Sequence, residues 1–212
     1  MTTVPRSGED LFALAPVMPV VVLENAEDAV PVARALVAGG LPGIEVTLRT
    51  PAALDAIERI AEEVPEAVVG AGTVVSADQA DAAAKAGARF LVSPGCTPDL
   101  ARAMSDTGLP SLPGVATVSE AMTLLESGLT ALKFFPAEAS GGARFLKSLG
   151  GPLPQVRFCP TGGITLQSAP DYLALPNVGC VGGSWLTPTD LVAGARWDDI
   201  TALAREAAAL RS

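Results

Sequence analysis

The chain has 212 residues, 49% hydrophobic and 17% charged, with 21 glycines and 18 prolines; this suits one loop-punctuated globular domain with a large core and excludes a disordered chain. A formal net charge of −9 argues against nucleic acid or an anionic membrane as partner, and requires any bound phosphate to be held locally by backbone amides or one or two cations. The chain has no histidine, which removes the commonest general base and the commonest ligand of catalytic zinc, so proton transfer must rest on carboxylate, lysine, hydroxyl or water.

Short apolar runs alternate with alanine-rich helical stretches. A short helix near 7–14 precedes a first strand at 17–23 (VMPVVVL). Helix 26–38 follows and stops at Gly39-Gly40. Strand 43–48 (GIEVTL) leads into helix 51–63, where Thr50 reads as the cap and Pro51 as the first helical residue. Next come strand 67–73 and helix 77–86, strand 90–94 and helix 98–107, then strand 111–116 and helix 118–127, with Ser76, Thr97 and Thr117 as caps. Strand 131–136 (ALKFFP) and helix 143–149, strand 155–161 (QVRFCPT) and helix 166–174, and strand 178–183 (VGCVGG) and helix 188–193 complete the alternation. A last helix, 197–210, closes the chain. The strands alternate little between apolar and polar, as strands buried on both faces should. Eight β-then-α units without a linker predict a single (β/α)8 TIM barrel over 1–212 with a short N-terminal helix; a doubly wound open sheet is the alternative.

Three cysteines without paired spacing, Cys96, Cys159 and Cys180, fit a reducing cytoplasm rather than a disulfide scaffold. The polar N-terminus, MTTVPRSGED, does not read as a signal peptide, and no apolar run reaches the length of a membrane span.

In such a barrel, chemistry gathers at the C-terminal ends of the strands. Lys133 is the sharpest signal there. Of the three lysines, Lys85 and Lys147 sit on Ala- or Arg-bearing helical stretches and read as solvated, whereas Lys133 lies among Leu132, Phe134 and Phe135. An ammonium buried in that setting must find a partner or give up its proton. An amine without its proton is a nucleophile for ketones; a lysine with a packed stem and a paired head is the plainer alternative. Glu45, mid-strand in GIEVTLR, is the natural general acid/base in a chain without histidine, or else the structural partner of Lys133 or Arg49. Arg49 at the end of that strand suits a substrate carboxylate, or is an ordinary surface arginine. Thr73 could join the same carboxylate or cap the next helix. PTGGI (160–164) and VGGSWL (181–186) end the last two strands, where barrels often bind phosphate, and Ser184 could add a hydrogen bond. Phe134, Phe135 and Trp185 read as core or pocket wall. No cluster of Asp and Glu suggests a metal site.

GIEVTLRT (43–50), VGAGTV (69–74), FLVSPG (90–95), PGVATVSEAM (113–122), LKFFPAE (132–138), PTGGI and VGGSWL span nearly the whole chain in order. Together they resemble the bacterial 2-keto-3-deoxy-6-phosphogluconate (KDPG) aldolases, a family that includes 4-hydroxy-2-oxoglutarate (KHG) aldolases. The resemblance implies a class I lyase in which Lys133 forms a Schiff base and Glu45 moves protons. It further implies that Arg49 and Thr73 hold the pyruvyl carboxylate. Pro94, Phe135 and Thr161 would line the pocket, and Gly162, Gly163, Gly183 and Ser184 would bind phosphate. It implies a homotrimer without metal or cofactor, acting on a keto-acid phosphate. The nearest rivals are aldolases for KHG or for the galactonate epimer. A phosphate-binding barrel isomerase, with Glu45 as base and Lys133 as electrostatic partner, is a rival of a different class, and a non-catalytic small-molecule sensor is another. Substrate choice among the close relatives is not encoded in these motifs.

Overall fold

A computed structural model describes residues 5–210; residues 1–4 of the polar N-terminus and the last two residues of the expected 1–212 domain lie outside that range. The chain opens with helix α1 (Gly8–Phe12), whose capping box pairs Ser7 with Asp10, and continues into β1 (Val17–Val21). A 3-10 turn (Ala26–Asp28) enters α2 (Ala29–Ala38), which ends where Gly40 adopts φ 95°. There Gly40 N–H donates to Val37 O at 2.9 Å and Leu41 N–H to Leu36 O at 3.0 Å, satisfying carbonyls the helix would otherwise orphan. Strands and helices then alternate: β2 (Gly43–Thr47), α3 (Ala53–Glu63), β3 (Val68–Gly72), α4 (Ala77–Lys85), β4 (Leu91–Val92) and α5 (Pro98–Asp106). After β5 (Ser111–Leu112) and β6 (Gly114–Val115) come α6 (Val118–Glu126), β7 (Ala131–Phe134), α7 (Gly142–Leu149), β8 (Arg157–Pro160), α8 (Ala169–Leu173), β9 (Val181–Gly183), α9 (Thr189–Ala193) and α10 (Trp197–Ala208). Ser76, Thr97 and Thr117 each accept the expected capping hydrogen bond from the third helical residue.

Every strand pairing is parallel. Six strands run in the order β5-β4-β3-β2-β1-β9 and three in the order β6-β7-β8. Isolated bridges, Phe158 to Val178 and Thr161 to Gly182, join the β8 edge to the β9 edge. The result is a parallel α/β fold of TIM-barrel-like architecture.

Two hydrophobic clusters explain why the strands read as continuously apolar. Along β2, Ile44 and Val46 face outward into the larger cluster, with Leu36 of α2 and Ala56, Ile57 and Ile60 of α3. The opposite strand faces supply Met18, Val68, Phe90, Val92, Leu112, Ala131, Cys159 and Cys180 to a smaller inner cluster, which also takes Leu11 and Phe12 from α1. Helix α1 thus plugs the end where the strands begin. Glu9 pairs with Arg157 at 3.0 Å, and the Arg157 guanidinium lies 5.3 Å over the Phe12 ring. Gly179 lets that ring approach, since a Cβ there would fall 2.2 Å from Phe12 Cγ.

Several boundaries differ from the sequence reading. The strand expected at 111–116 is two pieces, because Pro113 brings no amide proton to the ladder. Its first half bonds to β4 and its second to β7. Thr50 is not a cap and Pro51 is not the first residue of a helix: α3 begins at Ala53 behind an uncapped Ala52, while the Thr50 hydroxyl donates to Leu23 O at 2.5 Å. The helix expected at 166–174 shrinks to α8, since Thr165 and Ser168 close a turn of their own (Thr165 N to Ser168 Oγ, 3.0 Å). Among the described residues no helix is long and apolar enough to cross a membrane.

Phe12 is 2% exposed and fills the closed end of the inner cluster. Phe12→Ala is expected to lower unfolding free energy by about 3–5 kcal/mol in urea titrations, the usual range for a buried Phe truncation. A loss well below 1 kcal/mol would mean the plug is not part of the cooperative core.

Candidate active site

Strand alternation aims Glu45 and Lys133 into the same interior. Glu45 lies in register between Val20 of β1 and Gly70 of β3, and Lys133 between Gly114 of β6 and Cys159 of β8. The two residues belong to different sheets, 88 positions apart, and Lys133 Nζ donates to Glu45 Oε1 at 2.9 Å. Lys133 is 5% exposed and Glu45 2%; Lys85 and Lys147 are exposed, as their sequence context indicates. The Phe135 ring lies beneath the amine, 5.6 Å from Nζ to the centroid. Removing one partner of such a buried pair typically costs about 3–5 kcal/mol, because the other is left without compensation.

Glycines make the room. A Cβ at Gly72 would fall 2.2 Å from Glu45 Oε1 and 2.6 Å from its Cδ, so the carboxylate lies directly against the β3 backbone. At Gly114, a Cβ would meet the Pro94 carbonyl carbon at 2.3 Å and Ser93 O at 2.5 Å. The buried Ser93 hydroxyl accepts from Gly114 N–H at 3.1 Å, which ties the β4 end to β6 beside Lys133.

The remaining candidates lie at the same mouth, at or just beyond the strand ends. Arg49 is exposed, and its Nε donates to Thr73 Oγ1 at 3.3 Å. Thr73 therefore faces Arg49, and the cap of α4 is Ser76. Thr73 has φ 60°, a left-handed conformation that a β-branched residue avoids at about 1–3 kcal/mol. Pro94 follows β4 and is half-buried. Thr161 Oγ1 donates to Cys159 O at 3.4 Å and occupies the space a side chain at Gly182 would need. Gly162 and Gly163 take φ 101° and 80°. A Cβ at Gly162 would press on the Phe135 ring at 3.2 Å, which sets this turn beside the lysine's aromatic floor. Gly183 packs under the Trp185 ring, and Ser184 is exposed. Phe134 is core, stacked on Phe145 at 5.4 Å. The contacts thus form three groups: Lys133–Glu45–Phe135, Arg49–Thr73, and the strand-end turns around Thr161 and Gly182. Among the described residues no hydrogen bond links the first group to the second.

Sequence reasoning did not single out Gly72, Gly114 or the pair Glu138–Tyr172; Ser93, at the end of β4, lies where strand-end chemistry is expected. The Tyr172 hydroxyl donates to Glu138 Oε1. Burial, and then that carboxylate, push the phenol above its ordinary range, so it stays a donor. Burial also raises the Cys96 thiol, which disfavours a thiolate there. Among the described residues, no three His, Cys, Asp or Glu side chains gather as a metal site would require.

Gly72→Ala is expected to displace the Glu45 carboxylate while leaving the fold intact. A crystal structure of the variant should show Lys133 Nζ and Glu45 Oε1 beyond hydrogen-bonding distance; an unchanged 2.9 Å contact would show that Gly72 does not set it.

Comparison with known proteins places this geometry in a family. The family model for KDPG and KHG aldolase matches residues 9–203. A KHG/KDPG aldolase of Escherichia coli is 53% identical over 201 residues, 95% of this chain and 94% of that protein. A 2-dehydro-3-deoxy-phosphogluconate aldolase of Pseudoalteromonas atlantica is 52% identical over 203 residues, 96% of this chain and 94% of that protein. Among solved structures, the KDPG aldolase of Legionella pneumophila, with pyruvate captured at low pH as a covalent carbinolamine intermediate, superposes with a TM-score of 0.93 at 46% identity. That match covers 95% of this chain and 98% of the other. The Zymomonas mobilis 2-keto-3-deoxy-6-phosphogluconate aldolase gives 0.91 at 53% identity, covering 97% and 98%. By matched extent, identity and fold, the chain belongs to the KDPG and KHG aldolase family.

Proposed function

We propose that this chain is a class I aldolase that cleaves 2-dehydro-3-deoxy-6-phosphogluconate to pyruvate and glyceraldehyde 3-phosphate, with Lys133 as nucleophile and Glu45 as the proton-transfer residue. The observation that carries this reading is the buried 2.9 Å contact between Lys133 Nζ and Glu45 Oε1 at the strand-end mouth. The covalent pyruvate adduct named for the Legionella relative supports an amine nucleophile in the family.

In this mechanism Glu45 takes one proton from Lys133, the free amine attacks C2 of the keto acid, and a second proton passes from the nitrogen to the new alkoxide to give a carbinolamine. Glu45 returns the proton to the departing hydroxyl as water leaves, which gives an iminium. The iminium draws in the C3–C4 bonding electrons while Glu45 accepts the C4 hydroxyl proton, and the aldehyde departs. Glu45 then protonates the enamine at C3, and water hydrolyses the resulting iminium to release pyruvate and restore Lys133. Burial strengthens each of these transfers, since little water screens the pair. The half-buried Phe135 ring under Nζ also offers a face to cationic intermediates.

Arg49 and Thr73 hold the pyruvyl carboxylate in this reading: the guanidinium fork and a hydroxyl are already hydrogen-bonded at the same strand ends. The strained Thr73 backbone is one support, since such conformations cluster at functional sites. Pro94, Phe135 and Thr161 line the keto-acid chain. Gly162, Gly163, Gly183 and Ser184 receive the phosphate, favoured by two successive left-handed glycines whose backbone can approach an anion closely. Local amides of this kind suit a chain whose net charge of −9 repels anions globally.

The two sheets act as one closed eight-stranded (β/α)8 barrel over 1–212, supported by the β8–β9 bridges and by the continuity of β5 and β6 through Pro113. The protein works as a homotrimer in the cytoplasm. Exposed apolar side chains, Val75 at 58% and Met122 at 49% among them, give it surface to bury between subunits. A second substrate, unphosphorylated 4-hydroxy-2-oxoglutarate, is supported by the Escherichia coli relative, which is named a KHG/KDPG aldolase.

Lys133→Ala is expected to abolish keto-acid cleavage. Glu45→Gln should lower kcat by about 10²–10⁴-fold, the usual share of acid–base help, far more than it weakens formation of the pyruvate imine. Arg49→Ala should mainly raise KM for the keto acid. A Glu45→Gln enzyme with parental kcat, measured by coupled pyruvate release, would remove Glu45 from the mechanism.

A further inference from the structure

Glu138 and Tyr172 lie outside the proposed chemistry, yet they are joined across 34 residues by the Tyr172 hydroxyl donating to Glu138 Oε1. Tyr172, on α8, is 1% exposed, whereas Glu138, in the turn after β7, is exposed. A buried phenol thus holds a surface carboxylate in one place. What that carboxylate's stem touches is the glycine turn after β8. A Cβ at Gly163 would fall 2.8 Å from Glu138 Cβ and 2.7 Å from its Cγ, so Glu138 lies flush against the Gly163 backbone. The main chain runs the same way: Glu138 N–H donates to Gly162 O at 3.1 Å and Ala137 N–H to Thr161 O at 2.8 Å. The start of α7 closes the third side, since a Cβ at Gly142 would be 3.2 Å from the Tyr172 hydroxyl and 3.8 Å from Glu138 Oε2.

A carboxylate beside an anion site disfavours the anion by charge alone. Its presence against Gly163 therefore calls for a compensating role, and its geometry supplies one. Two successive glycines at φ 101° and 80° have no side chains to fix their conformation. A turn left free to move would have to be ordered when an anion binds, and that ordering would be subtracted from affinity.

We infer that Glu138 and Tyr172 are positioning residues for the phosphoryl end of the substrate: the phenol locks Glu138 across Gly163, and the locked stem presets the Gly162–Gly163 turn. This rests on the reading that the turn receives the phosphate. The pair touches neither Lys133 nor Glu45 and acts on recognition alone.

The test compares two keto acids that differ only in the phosphate, 2-keto-3-deoxy-6-phosphogluconate and 2-keto-3-deoxygluconate, with the parent enzyme and the variants Glu138→Ala, Glu138→Gln and Tyr172→Phe. Glu138→Ala and Tyr172→Phe should raise KM for the phosphorylated acid about fivefold or more, with kcat and the unphosphorylated kcat/KM held within about twofold. Glu138→Gln keeps an oxygen that accepts from the phenol and should stay within about twofold of the parent for both acids. Equal losses on both substrates, or no loss on either, would overturn the inference. Tighter use of the phosphorylated acid by Glu138→Ala would show that charge repulsion, rather than shape, dominates, and would overturn it as well. A parent that does not distinguish the two acids would refute the phosphate reading and this inference with it. A parent that prefers the phosphorylated acid, with Glu138→Ala keeping that preference, would refute this inference alone.

Discussion

A lysine and a glutamate from two different sheets meet at 2.9 Å in a space almost closed to water, and much of the surrounding structure follows from the need to keep them there. Each charge taken alone would be costly to bury, and their attraction repays that only when geometry is held closely. The backbone does the holding. Glu45 and Lys133 are flanked on both sides by parallel strands, so neither Cα can shift without breaking two ladders. The contact also bounds the inner cluster toward the mouth: below it the interior is apolar and plugged by α1, and beyond it the strand ends carry polar groups and glycines.

The glycines around the pair show why a barrel interior suits this chemistry. Barrels of this size fill their interior with side chains, and a functional one must remove some of that filling at one end. Gly72, Gly114 and Gly182 do so on three strands, and in each case the freed volume is taken by a neighbouring group: the Glu45 carboxylate, the Ser93–Pro94 backbone and the Thr161 hydroxyl. Thr73 also takes a left-handed backbone at a strand end, as do Gly162 and Gly163, where glycine carries no strain. Buried apolar side chains gather in the outer cluster and around α1, while the mouth carries polar groups.

Much of this was legible in the residues themselves. An ammonium within ALKFFP and a carboxylate within GIEVT conflict with their apolar setting, and that conflict is visible without coordinates. The alternation of apolar runs with capped helical segments located each strand, because both strand faces are buried and the caps at Ser76, Thr97 and Thr117 follow local rules. What stayed hidden depends on contacts between distant segments. Gly72 looks like any small strand residue until Glu45 is laid against it. Thr73 suits a cap or a ligand equally well, and only its left-handed backbone and the bond from Arg49 decide its direction. Thr50 has the right identity for a cap but is drawn away by Leu23 O from the preceding unit. The Glu138–Tyr172 contact joins two motifs that nothing in their local sequence connects.

In the proposed mechanism the amine at position 133 is the group that bonds to the keto carbon. Treating the protein with pyruvate and sodium borohydride, then mapping the modified peptide by mass spectrometry, tests it most directly. One irreversible adduct is expected on Lys133, the mass of pyruvic acid less one oxygen atom, and none on Lys85 or Lys147. An adduct on another residue, or continued keto-acid cleavage by an enzyme that borohydride and pyruvate leave unlabelled, would contradict it.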